Sequence, residues 1–144
     1  IRRDPTAARK SLAELEEVAR RYPNTSYAQD AAGKASLARD ILAGKEMEVG
    51  RHYQRKKSFL AAINRYKTVV KKYQTSTHTP EARYRLTENY RQLGIRSEAQ
   101  TAAAVLGHNY PNSKWYKDAF ALLQDGGLSP VADSGSWLSG IFGS

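Results

Sequence analysis

The chain has 144 residues, no cysteine and a formal net charge of +9. This length suits about one domain, and a hydrophobic fraction of 40% beside a charged fraction of 26% is typical of a globular protein rather than a collagen-like one. The lack of cysteine excludes disulfides, thiolate zinc sites and cysteine nucleophiles. No run of about 18 apolar residues is present, so no transmembrane helix is predicted.

Apolar residues recur at steps of three and four, which predicts seven helices and no strand. The first helix begins at Asp4-Pro5, a capping residue followed by a residue with preset φ, and ends at Pro23. The second is capped by Ser26 and ends at Gly44. The other five helices are predicted around Val49–Tyr53, Phe59–Tyr73, Pro80–Leu93, Ser97–Tyr110 and Ser113–Leu123.

A short phrase at the helix corners recurs three times. Tyr22-Pro23-Asn24-Thr25-Ser26 is echoed by Tyr110-Pro111-Asn112-Ser113 and, in degenerate form, by the stretch from Tyr73 to Ala82. In each copy we expect an aromatic ring to close one helix onto the core, a breaker to turn the chain, and a hydroxyl to cap the next helix. These corners indicate an internal repeat of paired helices.

The spacing of the corners predicts the fold class. The second and third copies lie 37 residues apart, close to the roughly 34 of a tetratricopeptide unit. The first and second lie 51 apart, which predicts one extra helix between them. Gly94 matches the turn within a unit, whereas the equivalent turn at Lys56-Lys57-Ser58 lacks a glycine. We therefore predict an all-α tetratricopeptide-repeat solenoid over residues 1–125, with an irregular helical bundle as the alternative.

The composition changes after Gln124. Residues 126–144 hold five of the ten glycines together with serine and proline, which predicts a flexible tail. Trp137, Leu138, Ile141 and Phe142 form an apolar cluster within it. On a flexible arm such a cluster suits docking into a partner groove or shallow insertion at a membrane interface. The alternative is a stub that folds back on the helices.

The positive charge is concentrated in one stretch. Between Val49 and Pro80 there is no acidic residue and there are eight basic ones. Such a block favours association with an acidic partner, and the alternative is a solvated helix face. No recognised nucleic-acid module accompanies it, so we expect no nucleic-acid partner. The eight are Arg51, Arg55, Lys56, Lys57, Arg65, Lys67, Lys71 and Lys72.

The polar residues do not predict an enzyme. His52, His78 and His108 are scattered and do not stand at metal-ligand spacing. The chain has no Gly-x-Ser-x-Gly elbow and no glycine-rich phosphate loop. We therefore expect a non-catalytic protein without a metal or cofactor. The chain opens with Ile1, without a start methionine or a signal peptide, and we expect a processed form or a fragment.

Four segments resemble the C-terminal half of the BamD (ComL) family of outer-membrane assembly lipoproteins, over residues 3–123. The resemblance implies a scaffold subunit of the β-barrel assembly machinery at the periplasmic face of the outer membrane. It also implies peripheral membrane association through a lipid anchor on a cysteine that this sequence lacks. The implied partners are the POTRA domains of BamA and, in some species, other lipoproteins of the machinery such as BamC. The segments are Arg3-Asp4-Pro5, Tyr22–Ala31, Ala61–Arg65 and Glu88-Asn89-Tyr90-Arg91.

The resemblance further implies that Arg65, with Asn64 beside it, contacts BamA. Arg65 lies about 200° around its helix from Ile63, so it leaves the buried stripe. The basic residues Arg55, Lys56 and Lys57 complete the expected partner-binding surface. The rival hypotheses are a tetratricopeptide module of unrelated function and a basic helical-repeat binder of an anionic partner such as nucleic acid.

Overall fold

A computed structural model of the chain describes residues 5–139, and all the regular secondary structure in that range is helical. Each helix packs against the next one along the chain, and the sixth also contacts the fourth. This serial packing of helix pairs is typical of helical repeats, and the predicted fold class is confirmed. The helices are α1 (Pro5–Arg21), α2 (Ser26–Arg55), α3 (Phe59–Lys72), α4 (Thr79–Gln92), α5 (Arg96–Asn109) and α6 (Lys114–Asp125).

The prediction of about seven helices is wrong, because α2 runs unbroken through Gly44 as one helix of 30 residues. Gly44 does not end the helix. Its φ lies outside the left-handed region that a glycine adopts when it terminates a helix. Instead it packs against the ring of His78, where a Cβ would lie 3.2 Å from Nε2. The wide spacing between the first two corners therefore reflects a long helix rather than an additional one.

A hydroxyl caps the next helix at the first and third corners, with a shift of register at the first. The expectation is wrong at the second corner, because the N-cap of α4 is His78, whose side chain makes no capping hydrogen bond. Thr25, rather than the predicted Ser26, caps α2 by accepting a hydrogen bond from the N–H of Ala28 at 3.1 Å. Ser113 caps α6 in the same way, accepting from the N–H of Tyr116 at 3.1 Å. A hydroxyl at this position satisfies one of the unpaired N–H groups of the first turn.

The three corner tyrosines differ in burial. Tyr73 is 7% exposed and closes α3 onto the core as expected, whereas Tyr22 is 53% exposed. The expectation that each corner ring packs inward is thus wrong at the first corner. Within the described residues α1 is the first helix and packs mainly against α2, which leaves the ring of Tyr22 at its end largely exposed.

The turns inside the two helix pairs share a backbone conformation. Gly94, between α4 and α5, has a φ of 75°, and Lys57, between α2 and α3, has a φ of 62°. Each turn also ends with the same hydrogen bond, from Ser58 to the carbonyl of Tyr53 and from Ile95 to that of Tyr90, both at 2.9 Å. A lysine in this conformation costs roughly 1 kcal/mol. The repeat geometry is therefore preserved without the glycine.

Tyr66 of α3 joins the long helix to the core. Its side chain is fully buried, and its ring lies so close to Gly50 of α2 that a Cβ there would stand 2.6 Å from Cε1 of the ring. The Tyr66 hydroxyl donates to Oε1 of Gln54 at 2.7 Å. Burial raises the pKa of Tyr66 above its usual value, so the phenol stays a neutral donor.

A half-buried polar network continues from this hydroxyl into α4. Gln54 donates through Nε2 to Oε1 of Glu88 at 3.0 Å, and Arg85 donates to Glu88 at 2.9 Å. Glu81 accepts from Arg51 at 3.0 Å and from Arg85 at 3.1 Å. Hydrogen bonds to charged groups in a partly desolvated site are stronger than those in water. The network therefore fixes α4 against the C-terminal half of α2.

We predict that Gly50→Ala lowers the free energy of unfolding by about 1–3 kcal/mol, because the added methyl group would collide with a buried ring. Gly33→Ala is the matched control in the same helix, since a Cβ at Gly33 meets no atom within 4 Å. The control should raise stability by up to about 1 kcal/mol, because alanine favours the helix. Chemical denaturation, monitored by circular dichroism, measures the free energy of unfolding of both variants. Equal effects of the two substitutions would contradict the close contact.

Candidate partner-binding groove

A surface groove of about 450 Å³ lies where α1, α2 and α3 meet. One face of α3 lines the groove, because positions 61, 64, 65, 68 and 72 recur at about one helical turn and so share a face. Asn64 and Arg65, two of the five predicted partner-binding residues, both line it. The complete lining is Arg9, Glu46, Tyr53, Ala61, Asn64, Arg65, Thr68, Lys72 and Tyr73.

Arg65 is held in the groove but stays accessible. Its Nη1 lies 3.3 Å from Oε2 of Glu46 on α2, and the side chains of Arg65 and Glu46 are 44% and 14% exposed. An ion pair this exposed stabilises a fold by no more than about 1 kcal/mol. Arg9 and Lys72 add two further cations to the lining. The groove therefore carries an excess of positive charge, which favours an acidic partner surface.

The other three predicted contact residues lie outside this groove. Arg55 is the last residue of α2, Lys56 caps its end and Lys57 follows in the turn. All three side chains are exposed. The structure therefore divides the five expected partner-binding residues into two in the groove and three at the α2–α3 turn.

The tail packs against the helices at Trp137 and Leu138. Nε1 of Trp137 donates to the hydroxyl of Tyr90 at 3.0 Å. The ammonium groups of Lys67 and Lys71 lie 4.6 and 5.4 Å from the centre of the Trp137 ring, within the range of cation–π attraction. Leu138 is fully buried. These two residues thus contact the chain's own helices, which is the folded-back alternative rather than a free docking arm.

Polar contacts hold the same segment along α5. Three hydrogen bonds join residues 129, 133 and 136 of the tail to α5. The other two residues of the expected apolar cluster, Ile141 and Phe142, lie outside the described residues. The polar contacts are Gln100 Nε2 to the Ser129 carbonyl at 2.9 Å, the Asp133 N–H to Thr101 Oγ1 at 2.8 Å, and Ser136 Oγ to Glu98 Oε2 at 3.0 Å.

Half of the eight basic residues in the acid-free stretch have partners that are remote in sequence. Besides Arg65 and the two lysines beside Trp137, Arg51 pairs with Glu81 at 3.0 Å. The acidic partners come from α2 and α4, outside the stretch that appears purely basic in sequence. The block is therefore not a continuous free positive surface, and its accessible charge is concentrated at the groove and the α2–α3 turn.

Glu46 is the lining residue whose role the sequence did not indicate. It precedes Arg65 by 19 positions and falls in the short region that was assigned to the break between two helices. A continuous α2 would have placed it one turn after Leu42, beside the face that packs on α3. Among residues 5–139, no three histidine or acidic side chains cluster closely enough to hold a metal ion.

The chain is similar to known outer membrane proteins. Residues 1–106 match the family model YfiO, described as outer membrane lipoprotein. The chain is 48% identical over 133 residues to the outer membrane protein assembly factor BamD of Caulobacter vibrioides, covering 92% of this chain and 44% of that protein. With BamD of Rickettsia prowazekii it shares 50% identity over 111 residues, or 77% of this chain and 44% of the relative. With BamD of Neisseria meningitidis serogroup A it shares 33% identity over 118 residues, which cover 82% of this chain and 44% of that relative. The chain thus spans less than half the length of these curated relatives.

None of the helices within residues 5–139 combines the length and the apolarity needed to cross a bilayer.

We predict that Trp137→Ala releases the tail segment. The substitution removes the hydrogen bond to Tyr90 and the contacts with two lysines, together worth about 2 kcal/mol. Amide hydrogen exchange at Asp133 and Leu138 should become about tenfold to thirtyfold faster, while exchange in α3–α5 changes little. Val131→Ala is the control, because Val131 is 57% exposed in the same segment. Unchanged exchange in the Trp137 variant would show that the ring does not hold the tail.

Proposed function

Because the chain belongs to the YfiO family of outer membrane lipoproteins, we propose that it is a non-catalytic scaffold in the assembly of outer membrane proteins. The observation that carries this proposal is the 48% identity to an outer membrane protein assembly factor over 92% of the chain. The serial packing of helices supports it, since helical repeats offer extended surfaces for other polypeptides. Family membership also argues against a tetratricopeptide module of unrelated function.

We place the chain at the periplasmic face of the outer membrane. A lipid anchor of the whole protein would associate it peripherally with that membrane, in keeping with the family's description as lipoproteins. The POTRA domains of BamA are the partner that we propose for it. Other lipoproteins of the same machinery are further candidates, and no cofactor is required for such a role.

The groove between α1, α2 and α3 is the surface that we assign to this contact. Arg65 would be its anchor, because arginine is enriched among the energetically dominant residues of protein interfaces. The guanidinium is positioned by Glu46 yet remains 44% exposed, so an acidic partner group could reach it. Asn64 lines the same groove, and Arg55, Lys56 and Lys57 would add longer-range attraction from the turn.

Binding of nucleic acid is less well supported. Affinity for nucleic acid depends on several basic residues that each neutralise a phosphate. In the structure Arg51 and Arg65 are paired with acidic residues, and Lys67 lies over the ring of Trp137. The basic stretch therefore offers fewer free cations than its sequence suggests.

We predict that Arg65→Glu weakens binding to the BamA POTRA domains about tenfold or more, which corresponds to about 1.4 kcal/mol. Charge reversal at the anchor would repel an acidic partner surface while leaving helical content unchanged. Titration of the POTRA domains into the chain, followed by isothermal calorimetry, measures the affinity. Lys117→Glu makes the same change of charge at an exposed site on α6, outside the groove, and should bind as the wild type does.

A second variant separates recognition from folding. Glu46→Gln removes the internal partner of Arg65 and leaves its charge free, so affinity should be kept or increased. If Glu46→Gln and Arg65→Glu weaken binding equally, the ion pair only holds α2 to α3. Unchanged affinity in Arg65→Glu would remove the residue from the interface.

A further inference from the structure

Arg83 of α4 is a buried arginine without an acidic partner. It is 2% exposed, and neither Nε nor Nη1 has a hydrogen-bond partner. Arg51, Arg65 and Arg85, which are all more exposed, each pair with a glutamate. Burial lowers the pKa of Arg83 to about 10, which leaves it charged at neutral pH, and no carboxylate contributes to that pKa.

Such an arrangement is costly in a protein interior. A buried charge is normally paired or fully hydrogen-bonded, because water no longer solvates it. Arginine has five N–H donors in a fixed planar fork and cannot escape the cost by losing its proton. A buried guanidinium with two unpaired nitrogens therefore favours the binding of an anionic group.

A pocket of about 300 Å³ adjoins this side chain. It lies between the loop after α3, which supplies Gln74 and Thr75, and the end of α5, which supplies Asn109 and Tyr110. Arg83 is the only charged residue of its lining, and the others carry neutral amide and hydroxyl groups. The pocket shares no residue with the groove at Arg65.

We propose that the pocket at Arg83 binds a carboxylate group. A planar carboxylate matches one edge of the guanidinium, either Nε with Nη2 or Nη1 with Nη2, and can accept two parallel hydrogen bonds there. The single cation in the lining suits one negative charge rather than the two of a phosphate. The neutral amides and hydroxyls can hydrogen-bond the rest of the ligand. The carboxylate could belong to a small organic acid or to the end of a polypeptide, and both sources share this chemistry.

The test measures ligand-induced stabilisation of the 144-residue chain. The probes are acetate and a short neutral peptide with a free C-terminal carboxylate, and the controls are the same peptide as its C-terminal amide and sodium chloride at matched ionic strength. Binding of the carboxylate should raise the melting temperature with rising concentration and shift the Arg83 Nε–H resonance in a 15N-resolved NMR spectrum. The peptide amide and sodium chloride should neither raise the melting temperature nor shift the Arg83 resonance.

Two variants identify the site. Arg83→Gln should reduce carboxylate affinity at least tenfold, whereas Arg96→Gln, at an exposed arginine on α5, should keep the wild-type response. Arg83→Leu should be at least as stable as the unliganded wild type, since it replaces an unpaired buried charge with an apolar side chain. If the variants fold poorly, the Arg83 resonance in the wild-type chain still reports binding directly.

The outcomes are distinct. A response to acetate identifies a small acid as sufficient, and a response to the free peptide alone identifies a polypeptide end; either supports the proposal. No response to any carboxylate would overturn it. A response that persists in Arg83→Gln would also overturn it.

Discussion

The packing of the Tyr66 ring on Gly50 is the contact on which the arrangement of the helices depends. It lets α2 and α3 approach closely because no side chain at Gly50 separates them. The buried hydroxyl must then find a polar partner, and it finds Gln54, which passes the connection on to Glu88 of α4. One aromatic side chain thus fixes three helices, and Arg65, which lines the groove, is its neighbour in α3.

Pairing of charges across helices determines which parts of this basic chain can meet a partner. Glutamates of α2 and α4 neutralise Arg65 and Arg51 in part, and the tail covers Lys67 with an aromatic ring. The positive charge that remains accessible is localised at the groove and at the α2–α3 turn rather than spread over the surface. Localised charge of this kind contributes to specificity and to the rate of encounter more than to bulk affinity.

The tail shows why the candidate site could be predicted only in part. Glycine, serine and proline after Gln124 predict a flexible segment, because such composition buries little apolar surface. Yet Leu138 is fully buried and Trp137 bonds to Tyr90. The surface that receives them is built from α3, α4 and α5, and local composition carries no information about it. The resemblance points to Asn64 and Arg65, whereas Glu46 lies in a continuous α2 that the sequence pattern, with a glycine at position 44, does not predict.

Helix periodicity, corner caps and the approximate repeat are properties of neighbouring residues, so the sequence alone determined the all-helical class and most helix boundaries. The continuity of α2, the exposure of Tyr22, the partners of the basic stretch and the unpaired state of Arg83 depend on residues tens of positions apart. Only the tertiary structure decided them, because burial and electrostatic pairing are set by distance in space and are not encoded in any local pattern.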